Sequence, residues 1–246
     1  MDKKVAFITG GNRGLGFQTA LELKDEAKVV IGARDRGQGE QALKKLRAEG
    51  VDAEMIEFDV TDARSHEAAY DYFDSKYGRL DILVNNAGIA AGKFPGTGPE
   101  HSAAEVPMEV LRRVFETNFF AVVALTQKLL PLIKKSVAGR IVNLSSILGS
   151  LTLHADPKSP IYHAKSFAYD ASKTALNAFT VHLAYELRET NIKVNSAHPG
   201  WVKTDMGGPQ APMELTDGAK TSVSLATLGP NGPTGGYFHF RETLPW

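Results

Sequence analysis

The sequence predicts an α/β protein: one domain over residues 1–246, a doubly wound parallel sheet with helices on both faces. Three observations carry this. Short, almost wholly apolar runs recur along the chain, the pattern of strands buried on both sides. Longer segments with helical spacing separate them, and strands alternating with helices build right-handed βαβ units. The first apolar run ends in Gly10-Gly11-Asn12-Arg13-Gly14-Leu15-Gly16 and a helical pattern follows at once. Strand, glycine turn and helix start is the context of a phosphate-binding loop.

Taken in order, Val5 to Thr9 is the first strand. Gly10, Gly14 and Gly16 permit a tight turn with close backbone approach, while Asn12, Arg13 and Leu15 fill it. The pattern is Gly-x3-Gly-x-Gly, not the general Gly-x-Gly-x2-Gly fingerprint, so a plain glycine-rich turn is the alternative. Phe17 to Lys24 is helical, and Lys28 to Gly32 is a second strand ending at Ala33-Arg34. At this place an adenosine ribose is read, by an acid for a free 2′-OH or by a cation for a 2′-phosphate. Arg34 and Arg13 favour the phosphate and NADPH; the adjacent Asp35 supports NAD instead.

An exposed helix over 41–48 precedes a third strand, Ala53 to Val60, and Thr61-Asp62 caps a helix running to about Tyr77. Leu80 to Val84 is a fourth strand, stopping at Asn85-Asn86-Ala87-Gly88. Asp59, Asn86 and Gly88 thus lie at strand ends, where such sheets collect ligands. Residues 91–106 form a Gly/Pro-rich rim loop (Gly92, Pro95, Gly96, Gly98, Pro99). A long helix from about Pro107 is interrupted or ended near Pro131. It carries Asn118 in an apolar stretch, and a buried amide must find partners, as scaffold or holding a water chain; spacing favours scaffold. Arg140 to Leu144 is a fifth strand ending at Ser145-Ser146. Its Asn143-Leu144-Ser145 sequon is discarded as part of a buried strand. Residues 148–167 read as irregular, and a helix carrying Tyr169 runs to about Thr190. Ile192 to Ser196 is a sixth strand, broken at His198-Pro199-Gly200. Trp201 to Pro212 reads as a mobile flap, and a helix (217–228) and a strand (237–240) close the chain.

Composition narrows the function. The 43% hydrophobic and 23% charged residues are ordinary for a soluble globular protein. Lys+Arg and Asp+Glu balance at 28 each, which gives no argument for nucleic acid or an anionic membrane. The absence of cysteine excludes disulfides, zinc-thiolate sites and a thiol nucleophile. No signal peptide or apolar run of about 18 residues is present, so a cytoplasmic protein is expected. The seven histidines are scattered and suggest no metal site.

The chemistry centres on Tyr169-Asp170-Ala171-Ser172-Lys173. A tyrosine and a lysine at this spacing share one helix face. A phenol holds its proton to about pH 10, and a nearby ammonium favours the phenolate. Such a pair can exchange a proton with an oxygen changing between carbonyl and alcohol. Tyr72 and Lys76 have the same spacing on a charged surface helix, so the pair alone decides nothing.

Together, Thr9-Gly10-x3-Gly14-x-Gly16, Asn85-Asn86-Ala87-Gly88, Asn118, Ser146, Tyr169-x3-Lys173 and Pro199-Gly200 resemble the short-chain dehydrogenase/reductase family over nearly the whole chain. The resemblance implies a Rossmann-type domain, an NADP(H) cofactor, and catalytic roles for Asn118, Ser146, Tyr169 and Lys173. It makes Tyr169 the acid/base, Lys173 the group that lowers its pKa and holds the nicotinamide ribose, Ser146 the holder of the substrate oxygen, and Asn118 the anchor of a relay water. Ser145 is the alternative serine. Cofactor contacts are implied for Gly10, Asn12, Arg13, Gly14, Leu15, Gly16, Arg34, Asp59, Val60, Asn86, Ala87, Gly88, Tyr169, Lys173, Pro199, Gly200, Val202 and Thr204.

Thr117-Asn118-Phe119-Phe120 and the run Pro199 to Met206 are most similar to the carbonyl reductases of this family, which implies a small-molecule ketone or aldehyde substrate. Phe94, Ser146, Ile147, Leu148, Trp201 and Met206 are the expected pocket. The same machinery acting on acyl-carrier thioesters, imines or alcohols is the enzymatic alternative, and a nucleotide sensor the non-catalytic one. The 22 residues between Ser146 and Tyr169 are intermediate between the family's tetrameric and monomeric members. Monomer and homo-oligomer both remain open.

Overall fold

The computed structural model describes residues 3–92 and 98–246. Its sheet is built from β1 (Lys4–Thr9), β2 (Ala27–Ala33), β3 (Ala53–Glu57), β4 (Ile82–Asn85), β5 (Arg140–Leu144), β6 (Lys193–Ala197), β7 (Tyr237–His239) and β8 (Glu242–Thr243). The order is β3-β2-β1-β4-β5-β6-β7-β8. All neighbours through β7 pair in parallel, and β8 turns back antiparallel on β7. β8, absent from the sequence reading, is a two-residue exposed edge with no apolar signal.

The helices are α1 (Gly14–Glu22), α2 (Arg36–Ala48), α3 (Ala63–Tyr77), α4 (Met108–Phe115), α5 (Ala121–Ile133), α6 (Leu151–Ala155), α7 (Phe167–Glu186) and α8 (Leu215–Ala226). Alternation along β1 shows how they layer. Val5 and Phe7 point to the core under α3, α5 and α7, where Phe7 meets Phe58 and Phe73 with ring centroids 5.2 and 5.1 Å apart. Ala6 and Ile8 point to the other core, with Ala20 and Leu23 from α1, Leu46 from α2 and Leu225 from α8. Successive residues of a strand face opposite sides, so continuous apolar strands require helices on both.

Two expectations are corrected. The long helix is interrupted at Glu116–Phe120, where one wide π turn separates α4 from α5 and carries Asn118. It then ends at Ile133, near Pro131 as the sequence reading allowed, since a proline this close to a helix end removes little hydrogen bonding. The segment after Ser146 is not irregular throughout. It forms a short 3-10 turn over Ile147–Gly149 and then α6, capped by the Ser150 hydroxyl accepting from the Leu153 N–H at 3.2 Å. No described helix is long and apolar enough to cross a membrane.

The order in which successive strands are laid down reverses between β1 and β4. A crevice opens at that point, outside the carboxyl ends of the strands.

Candidate active site

The glycine loop lies in this crevice. Gly10 and Gly14 take left-handed φ values of +62° and +56°. A Cβ on Gly16 would stand 2.5 Å from Asn86 Nδ2 and 2.6 Å from the Gly10 carbonyl, so only glycine fits there. Asn86 donates from Nδ2 to the Thr9 and Gly10 carbonyls at 2.7 and 3.2 Å. Thr9 Oγ1 accepts from the Asn86 and Ala87 backbone N–H groups, both at 3.0 Å. Thus Asn86 holds the loop's shape, and Thr9, read in the sequence only as a motif position, is its second clamp. Leu15 packs under α8, where Gly218 leaves room for it and Val202.

At the start of α1 no side chain caps the first turn and no acid occupies it. Its free N–H groups suit an anion, and the residues present fit a dinucleotide pyrophosphate. At the end of β2, Arg34 is exposed. Asp35, the acid of the NAD alternative, caps α2 by accepting from the Gln38 N–H at 2.7 Å. Arg13, read as a second cation for the 2′-phosphate, donates to Asp205 at 2.7 Å. Between α1 and α2, a cavity of about 260 Å³ is lined by Asn12, Arg13, Gln38 and Lys45, among others. Asp59 Oδ1 accepts from the Thr61 N–H and hydroxyl at 2.9 and 2.8 Å, ordering the turn it shares with half-buried Val60.

The predicted catalytic residues converge at the other end of the crevice. α7 presents Tyr169 and Lys173 on one face, with Lys173 Nζ 5.6 Å from the phenol ring centre. Nζ donates to the Leu144 carbonyl at 2.8 Å. A side-chain carbon on Gly88 would lie 3.3 Å from Asn118 Oδ1 and 3.5 Å from Lys173 Nζ, so Gly88 keeps space between them. Asn118 Nδ2 donates to the Ile89 carbonyl and Ser172 Oγ at 2.9 and 3.0 Å, and its Oδ1 accepts from the Ile89 N–H at 2.8 Å. Its side chain is therefore a brace between the end of β4 and α7.

The two serines separate clearly. Ser145 Oγ donates to Asn177 Oδ1 at 2.7 Å, away from the phenol. Ser146 caps the 3-10 turn by accepting from the Leu148 N–H at 3.3 Å, and its hydroxyl stabilises the Tyr169 phenolate.

Electrostatics depart from the expected direction. Burial pushes the Tyr169 phenol up to about 12, with Ser146 pulling it down and Asp170 pushing it up. Burial also lowers the Lys173 ammonium to about 8. Taking both groups out of water favours their neutral forms, which outweighs the mutual help that spacing alone suggests.

The segment after β6, read as a mobile flap, carries contacts of its own. Val202 bridges to Met213, Trp201 Nε1 donates to the Gly207 carbonyl at 2.8 Å, and Thr204 Oγ1 accepts from the Gly207 N–H at 2.9 Å. Gly200, after Pro199, has φ +90° and no room for a Cβ beside Met213. Trp201 and Met206 are exposed on the rim, Leu148 is buried, and Ile147 is half-buried. Phe94, Pro95 and Gly96 lie outside the described residues.

Two features escaped the sequence reading. His198 Nδ1 accepts from the Ile147 N–H at 3.1 Å, fixing the turn after Ser146. Burial, then His239, drives this imidazole down to about 3, so it stays neutral. Its place before Pro199-Gly200, at a strand end, was the available signal. Trp246 stacks on Tyr237 with centroids 5.4 Å apart and accepts from the Thr152 N–H at 2.9 Å, closing the wall behind α6. Nothing local announces that contact.

The decoy pair belongs to the opposite rim. Tyr72 and Lys76 both donate to Glu54, which Lys28 also meets at 3.2 Å. Burial pushes the Tyr72 phenol far up, and its hydroxyl is committed to Glu54. A larger cavity of about 440 Å³ lies there among Lys3, Lys28, Asp52, Lys76 and Arg79. Its lysines and arginine are engaged by Asp52, Glu54, Asp81 and the Lys24 carbonyl.

Comparison with known proteins identifies the family. The short chain dehydrogenase family model matches residues 4–215. Carbonyl reductase [NADPH] 1 of Mus musculus is 34% identical over 283 aligned positions, covering 99% of each chain. The alignment is longer than the 246 residues here, so that relative carries local insertions. The structure of NADPH-bound carbonyl reductase from chicken fatty liver superposes with a TM-score of 0.83 at 27% identity, covering 100% of both chains. Salutaridine reductase from Papaver somniferum gives 0.80 at 28% identity, covering 96% of this chain and 99% of that one.

Proposed function

The chain belongs to the short-chain dehydrogenase/reductase family, and from that premise we propose that it reduces ketones or aldehydes to alcohols with NADPH. The observation that carries the reading is the convergence of Ser146, Tyr169 and Lys173 at one end of the crevice whose other end holds the glycine loop and the uncapped start of α1. Relatives named as NADPH carbonyl reductases support the reaction class and the cofactor.

The cofactor supplies the hydride; the chain's residues do the rest. The glycine loop and α1 hold the pyrophosphate. Arg34, with Arg13 once it leaves Asp205, receives the 2′-phosphate. Ser146 and Tyr169 donate hydrogen bonds to the carbonyl oxygen, which strengthen as negative charge develops there. Tyr169 then transfers its proton to that oxygen. A phenol of raised pKa stays protonated throughout the physiological range, which suits a proton donor. Lys173, tied to the Leu144 carbonyl, would hold the nicotinamide ribose. Asn118 keeps α7 in register with the end of β4. Leu148, Ile147, Trp201 and Met206 offer apolar contact, which favours a hydrophobic or aromatic carbonyl.

The test is NADPH and NADH oxidation by the purified protein against aromatic ketones, quinones, acyl thioesters and cyclic imines. Turnover of ketones or quinones with NADPH is expected. Tyr169→Phe should abolish it while cofactor binding, read by nucleotide fluorescence, persists. Undiminished turnover in that variant would sink the assignment.

A further inference from the structure

Beside Tyr169 lies a cluster that the reaction above does not use. Asp170, the next residue of α7, is only 8% exposed. Its Oδ2 accepts from the Ser166 backbone N–H at 2.8 Å and stands 3.4 Å from His154 Nε2. Its Oδ1 is buried without a hydrogen-bond partner. A helix cap accounts for the Ser166 contact. It accounts neither for the orphaned oxygen nor for the groups gathered around it.

His154, on α6, has its tautomer set by its neighbours. The Lys165 ammonium donates to His154 Nδ1 at 3.0 Å and to its carbonyl at 2.8 Å. Nε2 therefore carries the proton and donates to the Leu148 carbonyl at 2.9 Å. Ser166 Oγ meets His101 Nδ1 at 2.8 Å, and His101 Nε2 faces Glu100 at 3.8 Å. The titratable groups around Asp170 are thus His154 from α6, Lys165 from the turn before α7, Tyr169 from α7, and His101 with Glu100 behind Ser166.

We propose that Asp170, buried beside Tyr169 with one carboxylate oxygen left without a partner, is a positioning residue for Tyr169: it anchors the first turn of α7, and its charge state tunes the phenol. The inference rests on Tyr169 being the acid/base of carbonyl reduction. A buried carboxylate with one unserved oxygen is a poor anion, and its neutral form is correspondingly favoured. Burial pushes the Asp170 carboxyl up to about 7, against the pull of the Ser166 N–H and Lys165. Once ionised, Asp170 opposes the phenolate and makes Tyr169 a weaker acid. If that changes the phenol by about one pKa unit, a proton transfer that feels about half of it slows by about threefold.

The direct test is NMR of tyrosine labelled at Cζ, with the Tyr169 resonance assigned by its loss in Tyr169→Phe. In the wild type that resonance should step with a midpoint near 7. The step should vanish in Asp170→Asn, which keeps an acceptor for the Ser166 N–H. It should move to higher pH in Lys165→Met, a change at an exposed side chain. A flat Tyr169 resonance around neutral pH, or an unchanged step in Asp170→Asn, overturns the proposal. In the kinetic arm, kcat for reduction should fall about threefold across the same midpoint in the wild type and show no such step in Asp170→Asn. Identical pH profiles in the two proteins also overturn it. The NMR arm needs no substrate, so a Tyr169 step without carbonyl turnover refutes the reductase reading and leaves the coupling standing. Turnover without the step does the reverse.

Discussion

Neutralising Asp205 should tighten NADPH without affecting NADH. Arg13 sits in the glycine loop, where it can reach a 2′-phosphate, yet its guanidinium donates to Asp205 at 2.7 Å. To grip the phosphate it must first give up that carboxylate. The side chains are 71% and 80% exposed, so the pair is of the solvent-screened kind, worth about 0.2–1 kcal/mol. Removing that cost in Asp205→Asn corresponds to about 1.4- to 5-fold tighter NADPH binding. NADH has no 2′-phosphate for Arg13 and should bind Asp205→Asn as it binds the wild type. The gain should shrink towards 1 M salt, where the screening length is about 3 Å. Nucleotide fluorescence titrations of both cofactors, in both proteins, at low and high salt, measure all of this. If Asp205→Asn weakens NADPH, or changes both cofactors equally, the bridge is a strap across the whole dinucleotide and the competition argument fails.

Arg34→Asp should lower the NADPH/NADH preference by about tenfold or more, since it replaces a charged phosphate partner by a like charge; an unchanged kcat/KM ratio would exclude Arg34 from the phosphate site. Asn118→Ala strips partners from both backbone groups of Ile89 and should cost about 2–4 kcal/mol in urea unfolding, along with turnover. Lost turnover at unchanged stability would instead favour the water-relay role over the brace. Glu54→Gln tests the opposite rim. Burial opposes the Glu54 charge, but hydrogen bonds from Lys76, Tyr72 and Lys28 outweigh it and hold the carboxyl at about 2. A depressed folded pKa gives stability that is present above the ordinary value of 4.5 and lost as pH falls through about 2. Glu54→Gln should therefore be less stable by up to about 3 kcal/mol at pH 7, with the gap closing between pH 4.5 and 2. A gap independent of pH would show that packing, not charge, is lost.

Much of the site was legible because its signals are local. Thr9-Gly10 and the following glycines lie between a strand and a helix whose periodicities are plain in the chain. Tyr169 and Lys173 share a face through helical spacing alone. The ends of the strands announced the crevice, and with it Asp59, Gly88, Ser146 and Pro199. The π turn at Asn118 was not legible, because a single widened turn leaves the apolar pattern on either side intact. The proline at 131, a strong local signal, did mark the end of the helix, which stops at Ile133.

Taken alone, then, the chain determined its elements, their order, and which residue types arrive at the carboxyl edge of the sheet, since these follow from periodicity and turn chemistry over a few residues. Tertiary structure decided who partners whom and in what medium. Arg13 meets Asp205 from 192 positions away, Ser145 turns to Asn177 and leaves Ser146 to the phenol, and Trp246 closes on Thr152. The direction of the Tyr169 and Lys173 shifts was decided there too. Desolvation is set by every atom packed around a group, most of them distant in sequence, and no spacing of two residues along one helix contains that information.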